Sequence, residues 1–322
     1  MKIIVMRPRR TTPNIRMTHR TADKTIYAYL TDNTNKHLGF DRIMRTTFVQ
    51  SRIRKPIEKF TQTSYMPDEF LPERIVMLQE LRAFRLNHSQ IERLPHKIHF
   101  LQQLVVLHLE NNVLRHLPER FGDLSQLTEL YLTRNAIEDL PTSIGKLRYL
   151  QLLDISHNGF LHEFPVTIGL LQHLRILRAN INHITQLPHS FGLLHALTTL
   201  DLSNNDIERL PDSFVQLTAL QSLHLNYNAL SELPIGFGQL TALRILELCN
   251  NHIMGLRPEI RHLTQLTVLH LKTNYISRLP AEIGHLTRLK VLNLQDNSID
   301  TFPETIANLT NCERSPRPSG RG

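Results

Sequence analysis

A leucine pattern that recurs every 23 residues constrains the fold of this 322-residue chain more than any other feature. Ten leucines each open a similar unit: Leu101, Leu124, Leu147, Leu171, Leu194, Leu217, Leu240, Leu263, Leu286 and Leu309. Each step between them is 23 residues, except for one step of 24 residues, where the segment 159–165 carries an extra residue. A fixed period of this length indicates a stack of similar coils rather than separate globular domains.

The unit that begins at Leu124 shows how the pattern places side chains. Leu130 and Leu132 are two residues apart, so in an extended chain both point to one face, and Tyr131 between them points to the other. Asn135 follows, where the chain has to turn inward. Its amide can donate to and accept from backbone groups that the turn leaves unpaired. The first half of each unit is therefore a short strand with one buried face.

Asparagine recurs at the position of Asn135 in the other units, and Ser89 takes its place in the first unit. The other asparagines are Asn112, Asn158, Asn182, Asn205, Asn228, Asn251, Asn274 and Asn297. If the units stack, these side chains form a polar ladder inside the structure.

The second half of the unit returns apolar residues to the same interior. Ile137, Leu140, Ile144 and Leu147 provide them, and Pro141 sets a backbone φ that suits a segment leaving the strand direction. One 23-residue coil cannot bury these groups alone, so stacked coils share one core. The strands then form a parallel sheet on the narrower, concave side.

The complete pattern, LxxLxxLxLxxNxIxxLPxxIGxL, resembles the leucine-rich repeat family, in the 23-residue class that includes plant intracellular Ras-group-related proteins, Ras-pathway scaffolds and many bacterial proteins. The resemblance covers residues 71–309. It implies an α/β fold, a right-handed solenoid of about ten repeats with a concave parallel sheet of short strands. Members of the family usually contact partners through the outward residues of the strands.

Composition and charge limit the remaining choices. Apolar residues make up 41% of the chain, which excludes wholesale disorder. The only cysteines are Cys249 and Cys312, so a disulfide framework is excluded and a reducing compartment is favoured. Residues 1–60 hold 14 Lys and Arg against 4 Asp and Glu, whereas residues 61–312 hold 20 against 24. The basic character therefore lies mainly near the N-terminus, and it does not indicate nucleic-acid binding by the repeats.

These patterns predict three regions. Residues 1–69 are a basic segment, either poorly ordered or a small cap, with a candidate strand at 25–31 and a candidate short helix at 42–54. Residues 70–311 are the leucine-rich repeat domain. Residues 312–322 are a disordered C-terminal tail, because they are rich in Pro, Gly and Arg.

The sequence indicates no catalytic or cofactor site. It lacks the phosphate-binding, dinucleotide-binding, zinc-protease, kinase and serine-hydrolase motifs. His108, His224 and His270 occupy the central strand column, but they are too many repeats apart to share a metal ion. Cys249 is expected on the concave surface beside Glu247, with no base or cation to activate its thiol. We therefore expect no enzyme activity, no cofactor and no metal.

The outward strand residues are the candidate functional surface. This surface is polar and varied, which suits protein recognition through a few aromatic or arginine anchors. The predicted partner-binding residues are Tyr131, Arg134, Asp154, Arg178, Asp201, His224, Tyr227, Glu247 and His270.

The predicted function is a non-catalytic protein-interaction scaffold in intracellular signalling, located in the cytoplasm. By family resemblance alone, the partner is a protein such as a small GTPase or a kinase; no small-molecule substrate is expected. Two alternatives stay open. The chain is the substrate-recognition part of a larger enzyme (a ligase, kinase or GTPase), or its basic N-terminal arm binds nucleic acid or an anionic membrane.

Overall fold

The computed structural model describes residues 73–312 and the backbone of two further strands, Ile3–Met6 and Lys59–Gln62. The chain divides into two compact units, Met1–Asn158 and Gly159–Gly322. The predicted strand at 25–31, the predicted helix at 42–54 and the predicted tail from residue 313 onwards lie outside the described residues. The three-region division stays a prediction.

Six parallel strands that pair in chain order lie in the described residues of the first unit. They are β1 (Ile3–Met6), β2 (Lys59–Gln62), β3 (Ala83–Leu86), β4 (Val106–His108), β5 (Glu129–Tyr131) and β6 (Leu152–Asp154). Strands β1 and β2 belong to the segment 1–69, and the leucine pattern does not predict them. They extend the sheet of this unit beyond the first repeat.

The second unit, as far as residue 312, also contains six parallel strands in chain order. They are β7 (Ile176–Arg178), β8 (Thr199–Asp201), β9 (Ser222–His224), β10 (Ile245–Glu247), β11 (Val268–His270) and β12 (Val291–Asn293). Corresponding leucines pair across each interface, as Leu223 does with Leu246 and Leu246 with Leu269. The register of the sheet therefore follows the period of the sequence, and the predicted α/β solenoid of leucine-rich repeats is confirmed.

Short 3₁₀ helices, rather than α-helices, form the second half of the described coils. In the first unit they are Glu73–Met77, Ile98–Phe100, Phe121–Asp123 and Thr142–Lys146. In the second unit they are Val166–Leu170, His189–Leu193, Asp212–Gln216, Phe237–Gln239, Pro258–His262, Ala281–His285 and Glu304–Asn308. The 23-residue period leaves room for one tight helical turn between the proline and the next strand. A 3₁₀ helix rises faster per residue than an α-helix and fits short segments of this kind.

The repeated apolar residues form the core of each unit. Leu130 and Leu132 in the first unit and Leu200 and Leu202 in the second are fully buried. Phenylalanine replaces isoleucine in several helical turns and fills the same interior. In the second unit the Phe191 and Phe214 rings are nearly parallel, with centroids 6.4 Å apart. Sequence periodicity alone identified this core correctly.

The predicted asparagine ladder is present, and Asn205 illustrates it. Its Nδ2 donates to the carbonyl oxygens of Leu202 at 2.9 Å and of Ala179, in the preceding coil, at 3.0 Å. Its Oδ1 accepts a hydrogen bond from the backbone N–H of Ile184 at 3.0 Å. One buried amide therefore pairs three backbone groups in two coils. Backbone polar groups left unpaired at this depth would be strongly destabilising.

The glycine of the Ile-Gly pair allows neighbouring 3₁₀ helices to approach closely. A Cβ atom on Gly192 would lie 2.2 Å from the carbonyl oxygen of Ser213 in the next coil. Val215 replaces this glycine one coil later, and there the facing residue is Gly236, whose φ is +84°. A Cβ atom on Gly236 would lie 3.8 Å from Val215 Cγ1. That distance is an ordinary van der Waals contact, so the positive φ of Gly236, rather than the size of Val215, accounts for the glycine.

A left-handed backbone conformation occurs in each coil just before the ladder asparagine. In the second unit these residues are Ile181, Asn204, Tyr227, Asn250, Thr273 and Asp296, with φ between 55° and 58°. Asparagine and aspartate tolerate this conformation, whereas a β-branched side chain such as that of Ile181 is crowded in it. Ile181 is nevertheless 40% exposed, so core packing does not explain its presence.

We predict that Asn205→Ala lowers the free energy of unfolding by about 1–3 kcal/mol, because it leaves buried backbone groups unpaired. Urea unfolding monitored by circular dichroism measures the change. Gln186→Ala, at an exposed position in the same unit, serves as the control and should have little effect. Equal effects of the two substitutions would contradict the structural role of the ladder.

We also predict that Ile181→Asn raises the free energy of unfolding by about 1 kcal/mol, because it relieves the crowding of a β-branched residue at positive φ. The reverse change at the next coil, Asn204→Ile, should lower it by about the same amount. Thermal and urea unfolding of both variants test the pair. The interpretation fails if Ile181→Asn is destabilising.

Candidate partner-binding surface

In each unit, the strands place a column of polar side chains on the surface opposite the leucine core. In the first unit, His108 pairs in register with Tyr131, and Tyr131 with Asp154. In the second unit, the corresponding column consists of Arg178, Asp201, His224, Glu247 and His270, each opposite its neighbour in the next strand. In either unit, we call the surface formed by this column and by the second and third residues after each strand the strand face.

Seven of the nine predicted residues lie in the central column, and two do not. Arg134 and Tyr227 lie three residues beyond it, in the left-handed conformation at the end of the strand. Both are exposed, Tyr227 by 56%. Residues such as Glu110 lie only two positions beyond the column. The structure separates these two positions, because the backbone turns between them.

Asp154 lies deeper than the prediction assumed, since it is only 9% exposed. Its Oδ1 accepts hydrogen bonds from Ser156 N at 3.1 Å, Ser156 Oγ at 2.6 Å and Thr133 Oγ1 at 2.7 Å. These contacts already use much of the acceptor capacity of the carboxylate. Asp154 therefore organises its neighbours rather than presenting an open charge.

The Tyr131 side chain is held in place before any partner arrives. Its ring stacks on His108, with centroids 4.2 Å apart and an interplanar angle of 7°. Its hydroxyl donates to Glu129 Oε2 at 3.0 Å, and His108 Nδ1 lies 2.9 Å from Glu110 Oε1. A partner that contacts this ring would not need to order it.

Glu247 is the centre of a polar network in the second unit. Its Oε2 lies 3.0 Å from His224 Nδ1 in β9 and accepts a hydrogen bond of 2.7 Å from Asn226 Nδ2. The side-chain Oδ1 of Asn226 in turn accepts a hydrogen bond from the Cys249 backbone N–H at 2.8 Å. The network links strands β9 and β10 and orients the side chains of His224, Asn226 and Glu247.

The charge of Glu247 is stabilised by its surroundings. Burial alone would raise its pKa, but the hydrogen bonds from His224 and Asn226 and the nearby His270 outweigh burial and hold the pKa below its usual value of 4.5. Asp201, two strands away, accepts a hydrogen bond from the Ser203 backbone N–H at 3.0 Å. Arg178, at the start of the column in this unit, is exposed.

Cys249 differs from the prediction in two respects. It is half-buried rather than exposed, and it does have a cationic neighbour, Lys272. Burial raises the pKa of its thiol, Glu247 raises it further, and Lys272 only partly offsets them. The thiol therefore lacks the lowered pKa of a reactive cysteine.

The sequence analysis did not identify the residues whose hydrogen bonds hold the predicted partner-binding side chains in place. Asn226 and Thr133 lie two residues beyond the central column, where strand alternation returns the side chain to the same face. The sequence analysis also did not identify Ile181 as an exposed apolar residue of this surface. Its position could have indicated this, because a β-branched residue stands there directly before a ladder asparagine.

The strand face shows no metal site. Within the described residues, no group of three or more His, Cys, Asp or Glu side chains is arranged to hold a metal ion. Among the helices of the same part of the chain, none is long and apolar enough to cross a membrane.

Family comparisons identify the class of protein. A profile described as a leucine-rich repeat region matches residues 168–274, and two further leucine-rich repeat profiles match residues 79–137 with 264–313 and residues 149–171. A leucine-rich repeat protein of Leptospira interrogans is 33% identical, with a TM-score of 0.64, over 80% of this chain and 71% of that protein. The chain belongs to the leucine-rich repeat family.

Other solved structures extend this comparison to receptors. The plant peptide hormone receptor RGFR1, in complex with RGF2, is 26% identical, with a TM-score of 0.62, over 80% of this chain and 46% of the receptor. The Drosophila Toll structure, from a complex with Spatzle, is 23% identical, with a TM-score of 0.66, over 81% of this chain and 35% of that one, and shows the fold alone. This chain spans less than half the length of either receptor. None of the curated proteins compared with it matches.

We predict a stability change with pH that depends on Glu247. Because the folded state lowers its pKa, its contribution is present above the usual value of 4.5 and is lost as the pH falls through the lower folded-state value. Glu247→Gln should therefore be less stable than the wild type near pH 7, with the difference shrinking towards pH 3. Urea unfolding at several pH values measures it. The exposed Glu208→Gln is the control, and a pH-independent difference for Glu247→Gln would contradict the prediction.

Proposed function

We propose that this protein is a non-catalytic interaction scaffold that binds a protein partner on the strand face. The single observation that carries the proposal is the prior organisation of that face. Glu247, His224 and Asn226 form one hydrogen-bonded network, and Tyr131 is stacked on His108 before any partner is bound. Binding to a preorganised surface loses little side-chain entropy, which favours affinity.

The chemistry of the face supports a protein partner. Exposed Tyr227, exposed Arg178 and the exposed Ile181 provide aromatic, cationic and apolar contacts within the second unit. Tyrosine and arginine are enriched among the residues that dominate binding energy in protein interfaces. The related receptor RGFR1 was solved in complex with RGF2, which supports the same general role for this chain.

The proposal extends to the compartment and the kind of partner. The described cysteines, Cys249 and Cys312, are both free thiols, as expected in a reducing environment. We place the protein in the cytoplasm, in a signalling pathway, and the family resemblance favours a small GTPase or a kinase as partner.

Cross-linking of the native complex tests the proposal. The complex is purified from the source cells through a tag, and lysine cross-links to the partner are mapped by mass spectrometry. The described lysines report on different surfaces, since Lys272 follows β11 on the strand face, whereas Lys146 ends a 3₁₀ helix and Lys97 precedes one. We expect cross-links at Lys272. Cross-links confined to Lys97 and Lys146 would contradict the proposal.

Matched variants then test the residues. We predict that Arg178→Glu with Tyr227→Ser weakens binding of the identified partner by about 2 kcal/mol or more, because both are exposed anchors on the face. Isothermal titration calorimetry measures the affinity, and thermal unfolding should be nearly unchanged. The control pair is Arg209→Glu with Tyr149→Ser, which are exposed residues away from the face. Equal losses of affinity in both variant pairs would contradict the assignment of the strand face as the partner-binding surface.

A further inference from the structure

A second surface of the second unit runs along the beginning of the strands. The residue two positions before each strand's central leucine lies directly beside its equivalent in the next coil. Backbone hydrogen bonds of 2.8–2.9 Å join these residues one after another, each N–H donating to the carbonyl of the preceding coil. We call this line the flank row; it consists of Arg175, Thr198, Gln221, Arg244, Thr267 and Lys290.

The flank row combines separated cations with neutral polar residues. Arg175, Arg244 and Lys290 are exposed, and none of them forms an ion pair with a described residue. Thr198 Oγ1 and Thr267 Oγ1 instead donate to the carbonyls of Arg175 and Arg244, at 3.0 and 2.9 Å. The threonine hydroxyls therefore donate to the backbone, whereas the three cations are available to bind an anionic group of another molecule.

The surroundings of the flank row are free of carboxylates. Between the 3₁₀ helices and the strands of the second unit, the exposed positions next to the row contain histidine, threonine, glutamine, alanine, asparagine and Arg288, but no Asp or Glu. Arg288 donates to Gln265 in the preceding coil. The acidic side chains of this unit lie on other surfaces, as Glu247 does on the strand face and Glu259 does against the backbone of Gly236.

We propose that the flank row is a second docking surface, and that it binds an extended acidic segment of a partner protein. The proposal rests on charge complementarity, because Arg175, Arg244 and Lys290 are exposed, lie in one row and have no carboxylate beside them. This surface is separate from the strand face and does not depend on the function proposed there.

The spacing of the cations matches an extended peptide. Adjacent coils are about 4.8 Å apart at the strands, so Arg175 and Arg244 are about 14 Å apart and Arg244 and Lys290 about 10 Å apart. An extended chain advances about 3.4 Å per residue, and only residues an even number of positions apart point to the same face. Acidic residues four and then two positions apart therefore share one face and span about 14 Å and about 7 Å, and the long side chain of Lys290 covers the remaining distance. The row therefore fits a segment with acidic residues at positions 1, 5 and 7.

Sparse charge favours an acidic protein segment over a polyphosphate or a lipid surface. A nucleic acid presents a dense and continuous line of charge, and recognition of it requires a comparably dense positive stripe. Binding to an anionic membrane through basic residues usually takes a cluster of four to eight lysines and arginines. Three cations separated by two threonines and one glutamine suit discrete carboxylates and a peptide backbone better.

Fluorescence anisotropy tests this proposal with the full-length chain and a defined probe. The probe is a fluorescein-labelled eight-residue peptide of serine and threonine with glutamate at positions 1, 5 and 7; the neutral peptide has glutamine at those positions. We predict that the acidic peptide binds about tenfold more tightly than the neutral one at low salt, and that the difference falls as salt is added.

A charge-reversal pair of variants locates the binding. The flank variant Arg244→Glu/Arg288→Glu/Lys290→Glu should reduce acidic-peptide binding by about tenfold. The control variant Arg93→Glu/Arg209→Glu/Arg278→Glu changes the net charge equally at exposed positions away from the row. It should leave the affinity within about twofold. Circular dichroism confirms that both variants are folded, and equal losses in both would overturn the proposal.

Zero-length carbodiimide cross-linking provides a second measurement that does not depend on variants. It joins a glutamate of the bound peptide to a lysine within contact distance. We expect the adduct at Lys290 and not at Lys97, Lys146 or Lys272. An adduct spread over all four lysines, or confined to the basic segment 1–60, would overturn the proposal.

Competition experiments separate the other possible occupants. A single-stranded oligonucleotide and vesicles containing phosphatidylserine are added as unlabelled competitors to the peptide complex. If either binds the wild type more tightly than the peptide does, and loses that binding in the flank variant, the row serves that ligand and our assignment is wrong. The strand-face variant Arg178→Glu/Tyr227→Ser should retain peptide binding, which distinguishes failure of this inference from failure of the proposed function.

Discussion

The buried asparagine ladder is the interaction on which the rest of the structure depends. Strands of only three residues, such as Thr199–Asp201, make few hydrogen bonds of their own. The chain must then turn inward at once and would leave backbone groups unpaired. Asn205 pairs three of these groups across two coils, and its equivalents do the same in their own coils. Without this amide the leucines could not share one interior, because each turn would bury unsatisfied polar groups.

Close stacking of the coils requires a residue without a Cβ atom at particular positions. Gly192 leaves space for the carbonyl of Ser213, and its equivalents do so in other coils. Val215 takes the place of this glycine in its own coil and faces Gly236, 21 positions later, whose φ is +84°. A Cβ atom on Gly236 would meet Val215 only at an ordinary van der Waals distance, so the backbone conformation accounts for this second glycine.

Function follows from the rigidity that this stacking produces. The strand face carries side chains that already contact one another, such as Glu247 with His224, and it is the surface on which we propose that a partner binds. The flank row presents exposed cations that the described carboxylates leave unpaired. On both surfaces, equivalent residues are spaced as the strands of the sheet are, because each coil contributes one residue to each row. A repeat fold therefore turns a periodic sequence into linear arrays of chemical groups.

The 23-residue period by itself determined the core leucines, the order of the strands, the register and the asparagine ladder, because burial of a repeated apolar pattern permits few other arrangements. It did not reveal strands β1 and β2, which lack that pattern, or the 3₁₀ form of the helices. Among the candidate site residues it determined which of them point away from the core. Only the tertiary structure decided that Asp154 is buried, that Cys249 has Lys272 beside it and that Arg134 lies beyond the strand. Those properties depend on contacts between residues 21 to 26 positions apart and on a left-handed turn, which a pattern within one unit does not contain.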